Sequence, residues 1–78
     1  MAYSVTIDLH GETRESGRKI LTQRLNTLPK DTREVVVIHG YHSGTALQSM
    51  VRSFKHPKVE RRIIGLNNGE TIFLIKKI

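Results

Sequence analysis

The 78-residue sequence contains no cysteine, no tryptophan and only two prolines. Without thiols, both disulfides and thiolate zinc sites are excluded. Chains of this size bury only about 60% of their unfolded surface, so stability must come from tight packing or from packing joined to self-association. No secretion-signal pattern opens the chain, and no apolar run approaches the roughly 20 residues of a membrane span. A soluble, cytoplasmic protein is the expectation. The aromatic residues are few and scattered: Tyr3, Tyr41, Phe54 and Phe73. A base-stacking platform needs several exposed rings on one surface, so that mode of recognition is disfavoured. Acidic residues are also scarce. Seven stand against thirteen lysines and arginines, which leaves a net charge of +6 and a pI near 10.2. Such an excess suits a polyanionic partner, nucleic acid first.

What the chain does contain is an apolar run ending in His-Gly, twice. Val5-Thr6-Ile7-Asp8-Leu9 leads into His10-Gly11, and Val35-Val36-Val37-Ile38 leads into His39-Gly40. The two runs lie about thirty residues apart, the spacing of consecutive strands in a β-α-β unit. In that unit the strands are parallel and both histidines emerge at one edge of the sheet. Ligands of open α/β sheets bind just beyond the carboxyl ends of such strands.

The remaining periodicities complete one domain over residues 1–78. Thr13 reads as an N-cap with Glu15 in the first turn, and Ile20, Leu21, Leu25 and Leu28 recur at helical spacing up to Pro29. Val35 to Ile38 reads as a central strand buried on both faces. A loop from Gly40 to Gly44 feeds a second helix carrying Leu47, Met50, Val51 and Phe54, which His56-Pro57 breaks. Val59–Ile64 and Thr71–Ile75 read as strands, joined by Asn67-Asn68-Gly69 as a tight positive-φ hairpin. The order β-α-β-α-β-β gives an α/β (α+β) two-layer sandwich: a mixed four-stranded sheet with two helices on one face.

Asp8 and His10 lie two residues apart on one face of the first strand. At that spacing the carboxylate can influence the imidazole directly or through a water, which is the arrangement proton transfer requires. His39 approaches from the next strand and His42 from the loop after it. Gly11, Gly40, His42, Ser43 and Gly44 form a candidate phosphate cradle, with the open amides at the start of the second helix behind it. The candidate catalytic residues are therefore Asp8, His10 and His39. Arg52, Lys55, Arg61 and Arg62 are candidates for holding nucleic-acid backbone, with Arg61 and Arg62 on opposite faces of their strand. The sequence identifies no cofactor. A divalent ion, should the site be catalytic, would draw on Asp8, His10, His39 and His42, although no helix offers histidines at metal-binding spacing. His56 reads as a solvated histidine beside Pro57.

These motifs, in this order, resemble the Smr (small MutS-related) domain family. Ile7-Asp8-Leu9-His10 matches the family's L-D-x-H motif, and His39-Gly40-Tyr41-His42 its H/T-G-x-G motif, with His42 in place of the second glycine. Asn67-Asn68-Gly69-Glu70-Thr71 follows before the last strand. The resemblance covers nearly the whole chain. It implies a fold similar to the C-terminal domain of translation initiation factor three. Family members are associated with DNA nicking, RNA cleavage and nucleic-acid binding. The resemblance thus implies a nucleic-acid partner and a candidate endonuclease of weak sequence preference. Two alternatives stay open: a non-catalytic RNA- or ribosome-binding module, and an enzyme acting on a small phosphorylated metabolite.

Overall fold

A computed structural model describes residues 3–40, 46–65, 67 and 69–76. Strand β1 (Ser4–Asp8) is followed by helix α1 (Arg14–Asn26), strand β2 (Glu34–Ile38), helix α2 (Ala46–Ser53) and the strands β3 (Val59–Ile64) and β4 (Glu70–Ile75). The four strands form one sheet in the order β1-β2-β4-β3, with β1 and β2 parallel and the other two pairs antiparallel. This is the mixed sheet expected of the sequence.

The sheet sorts its side chains by parity. Ile7 with Leu9, Val35 with Val37, and Phe73 are buried together with Leu21 and Leu25 of α1 and Met50 and Val51 of α2, in one core on one face. Each fully buried aliphatic or aromatic side chain of this kind contributes about 1.5–3 kcal/mol. On the other face stand Thr6, Val36, Ile72 and Ile63, aligned across the sheet by register. Among the described residues no helix covers that face, so β2 is not buried on both sides: Val36 and Ile38 are only half-buried. The expectation of a doubly covered strand fails because two helices suffice for one face only.

Local chemistry explains the boundaries. The Thr13 side chain accepts from the Ser16 amide while Ser16 reaches back to the Thr13 amide, a capping box with Glu15 in the first turn. Helix α1 stops at Asn26, before Leu28, which packs on the core from the following loop. Gly17 faces α2: a β-carbon there would lie 2.9 Å from Leu47 Cδ1 and 3.2 Å from Met50 Cε, so the glycine sets how closely the helices approach. β3 and β4 are joined as an antiparallel hairpin, in which the Gly65 amide donates to Glu70 O at 3.2 Å. Within it the Asn67 side chain accepts from the Gly69 amide at 2.8 Å. This is an Asx-type bond, in which a short side chain helps close the turn. Asn68 lies outside the described residues. A register shift between Val59 and Arg61 flips the parity of β3, placing Arg61 opposite Leu74 and Arg62 opposite Phe73. Arg61 and Arg62 thus occupy opposite faces, as expected.

Candidate functional site

The first His-Gly sits on a turn. The Glu12 amide donates to Leu9 O at 2.9 Å, closing Leu9-His10-Gly11-Glu12, and Gly11 in the third position has φ 86°. A type II turn demands positive φ there, which glycine supplies without steric cost. His10 occupies the second corner and is exposed. Its backbone amide donates to Asp8 Oδ1 at 2.9 Å. The Asp8 carboxylate therefore braces the backbone that carries His10, and its hydrogen bond among the described residues goes to that amide and not to the imidazole. A two-residue offset at a strand end brings the amide of His10 within reach of the carboxylate first.

The second His-Gly is built differently. His39 is only 2% exposed, and both ring nitrogens are engaged within the protein. Nδ1 lies 2.8 Å from Gly40 O and Nε2 lies 2.9 Å from Thr71 Oγ1. A carbonyl only accepts, so Nδ1 carries a proton and donates. In the neutral ring Nε2 then accepts from the Thr71 hydroxyl. The His39 and Gly40 amides both donate to Gly69 O, at 2.9 and 3.0 Å. His39 thus ties the end of β2 to β4 and its preceding loop. Its expected part in proton transfer is corrected: a ring bonded at both nitrogens and shut from solvent has no free edge for a substrate. Gly40, expected in the phosphate cradle, has already committed its amide.

The two turns still meet. Gly40 has φ 73°, and a β-carbon there would lie 3.4 Å from His10 Cδ2. The exposed imidazole of His10 therefore lies beside the bare backbone of Gly40. Gly11 has open space where its β-carbon would be. His42, Ser43 and Gly44, the rest of the expected cradle, lie outside the described residues. Among the described residues no three His, Asp or Glu side chains come together to hold a metal ion.

The Smr domain matches residues 7–66 of the 78-residue chain, from the run before His10 to the loop after β3. The chain belongs to the Smr domain family. No curated protein sequence and no solved structure gives a significant match.

The basic residues of this Smr domain divide by role. Lys58 Nζ donates to Leu25 O at 2.8 Å and Asn26 O at 3.3 Å, capping the end of α1. Arg62 Nη1 donates to Phe54 O at 2.9 Å, just past the end of α2. Cations at helix C-termini satisfy orphan carbonyls and complement the dipole. Arg52 is half-buried, with Nε and Nη2 unpartnered. Lys55 and Arg61 are exposed. Arg61 lies on the uncovered face while Lys55 and Arg62 lie toward the helices, so the four expected backbone contacts do not form one surface.

Sequence reasoning missed the role of His56. Its Nε2 lies 2.9 Å from Asn26 Oδ1, and its Nδ1 accepts from the Lys58 amide at 3.1 Å. The ring stacks near Phe54, with centroids 6.4 Å apart. Burial, aided by the Lys58 charge, lowers its pKa from the ordinary 6.5. His56 is a clasp between the two helix ends and not a solvated side chain; the Phe54-x-His56 spacing was the available signal.

Proposed function

We propose that this Smr domain binds nucleic acid at the carboxyl end of β1 and β2 and transfers a proton with His10 during phosphodiester cleavage. The observation that carries the reading is the exposed His10 imidazole, lying beside the glycine backbone of the neighbouring turn. A phosphodiester can approach bare backbone closely, and an imidazole accepts or donates a proton near neutral pH. Asp8 is a positioning residue: its carboxylate holds the amide of His10 and with it the corner that presents the ring. The basic excess supplies the long-range attraction. Phosphate contacts carry no base identity, so sequence preference is weak.

Cleavage of supercoiled plasmid and of structured RNA, by the wild type and by His10→Ala, tests the reaction. The reading requires cleavage that disappears in the variant while the fold persists. Binding measured from low to physiological salt tests the partner, and an isotherm that does not move with salt removes it. A non-catalytic binding module is the second reading. The commitment of both His39 nitrogens favours it, because that leaves His10 as the one freely presented imidazole among the described residues at this edge. Salt-dependent binding with no cleavage of either substrate would select it.

A further inference from the structure

Charge is sorted between the two faces of this domain. Register puts Glu34 and Arg61 in one row of the sheet and Asp8 and Glu70 in another. Each row lies two residues from the Thr6–Val36–Ile72–Ile63 row, so both stand on the same uncovered face. The paired positions of that face thus carry three carboxylates and one cation. Across the helices the balance reverses. An open groove of about 420 Å³ lies there, with Arg18 and Thr22 of α1 on one bank, Ser53 and Lys55 on the other, and the buried Met50 and Phe54 beneath. A second depression shares Arg18 and continues toward the start of α1, where Arg14, Glu15 and Lys19 line it. Four cations stand here against one carboxylate, and all five are exposed.

Two of these cations work against the helix that carries them. Arg14 is the first residue of α1, at the positive end of the helix dipole, where a cation is unfavourable. Arg18 follows four residues later, about 6 Å further along the helix, and like charges at that spacing repel. Glu15 lies three residues before Arg18 and four before Lys19, so one carboxylate faces two cations. Proteins break such local rules where a functional surface requires it. A chain of phosphates is a ligand that turns this repulsion into attraction.

We infer that the backbone of the bound nucleic acid runs over the helices along this groove, from Arg14 past Arg18 to Lys55, and not across the uncovered sheet. The inference rests on the nucleic-acid reading above and names the surface that holds the strand. Thr13 caps α1 directly after the Leu9–Glu12 turn, so the track begins at the corner that presents His10. The 13 residues of α1 extend roughly 20 Å. Phosphates of one strand recur about every 3.4 Å, so about six of them span the helix. The carboxylates of the sheet face repel the same backbone and keep it on the helical side.

Two double variants of the full chain, equal in the charge they lose, test this. Arg18→Ala with Lys55→Ala removes one cation from each bank of the groove. Arg33→Ala with Arg61→Ala removes two exposed cations from the far end of β2 and from the sheet face. Binding of a short fluorescent single-stranded oligonucleotide is followed from low to physiological salt. The groove variant should bind about tenfold or more weakly at physiological salt, and its slope of log K on log salt should fall by about two. The other variant should change affinity by about twofold at most, a long-range effect that salt screens. Both should melt with the wild type, since all four side chains are exposed. Arg14→Gln should weaken binding while leaving Tm unchanged or raised, because it removes a cation from the positive end of the helix. Equal losses in the two double variants would overturn the inference, since net charge alone would then account for binding. A larger loss from Arg33→Ala with Arg61→Ala would overturn it by placing the strand elsewhere. A lowered Tm for Arg14→Gln would assign that arginine to the fold and overturn its place in the track. Wild-type binding that ignores salt would remove the nucleic-acid reading itself. Salt-dependent wild-type binding with an unaffected groove variant would overturn this inference and leave that reading intact.

Discussion

The two His-Gly pairs end adjacent parallel strands but are offset by one position: Asp8 pairs with Ile38, His10 lies two residues beyond Asp8 and His39 one beyond Ile38, so one faces solvent and the other is core. His10 follows Thr6 and Asp8 in the outward alternation of β1, whereas His39 follows Val35 and Val37 in the inward alternation of β2. The same dipeptide therefore yields an exposed imidazole over a type II turn in one case. In the other it yields a buried ring bonded to Gly40 O and Thr71 Oγ1. Strand parity, not residue identity, decides which histidine a substrate can reach.

The largest expected effect separates the pair by function. His10→Ala should lower phosphodiester cleavage by about a hundredfold or more, within the range for a lost proton-transfer group. Its Tm should stay near that of the wild type, since an exposed corner residue carries little packing. His39→Ala should behave in the opposite sense, costing about 3 kcal/mol through the cavity and the unpaired Thr71 and Gly40 groups. In a domain of this size that lowers Tm by more than about 10 °C. A His39 variant that keeps its Tm but loses cleavage would break the comparison.

Smaller changes sharpen it. Gly11→Ala and Gly40→Ala should each cost about 1–2 kcal/mol, because both glycines hold positive φ. Only Gly40→Ala should also disturb His10, since its new β-carbon meets that ring while the one at Gly11 meets open space. Ring chemical shifts of His10 in the two variants read this difference. Thr71→Val should cost about 1 kcal/mol in denaturant unfolding by leaving His39 Nε2 unpaired.

His56 provides a third histidine as a reference. Its pKa is lowered in the fold, so the folded state favours the neutral ring and the unfolded chain takes up the proton first. Stability from this source is fully present above the unfolded value of 6.5. It is lost as pH falls through the lower folded value. Denaturant unfolding between pH 7 and 5 should show that decline, and His56→Gln should flatten it.

Much of this was legible in the residues themselves. Periodicity gave the order of elements and the edge at which the two turns meet, because amphipathic stripes and β-branched runs are local signals. The alternation that buries His39 was legible too, since Val35, Val37 and His39 share one parity, but the repeated dipeptide invited an equivalence that the alternation denies. The Asx turn at Asn67 and the bulge before Arg61 were not legible: both depend on how β3 and β4 align, a choice made between segments. The close contact of Gly17 with Leu47 is likewise a tertiary fact, silent in a helix that merely contains a glycine. The capping role of Lys58 was not legible because the end of α1 that it caps lies 32–33 residues away in the chain.

The central claim, that the first histidine meets the ligand while the second holds the fold, is tested most directly at the rings themselves. Nitrogen–proton correlation spectra of the histidine side chains, recorded while a short single-stranded oligonucleotide is added, observe both at once. The account predicts that His10 signals move along the binding isotherm while His39 keeps a protonated Nδ1 and an unchanged Nε2. Movement of the His39 signals with His10 unmoved would contradict it.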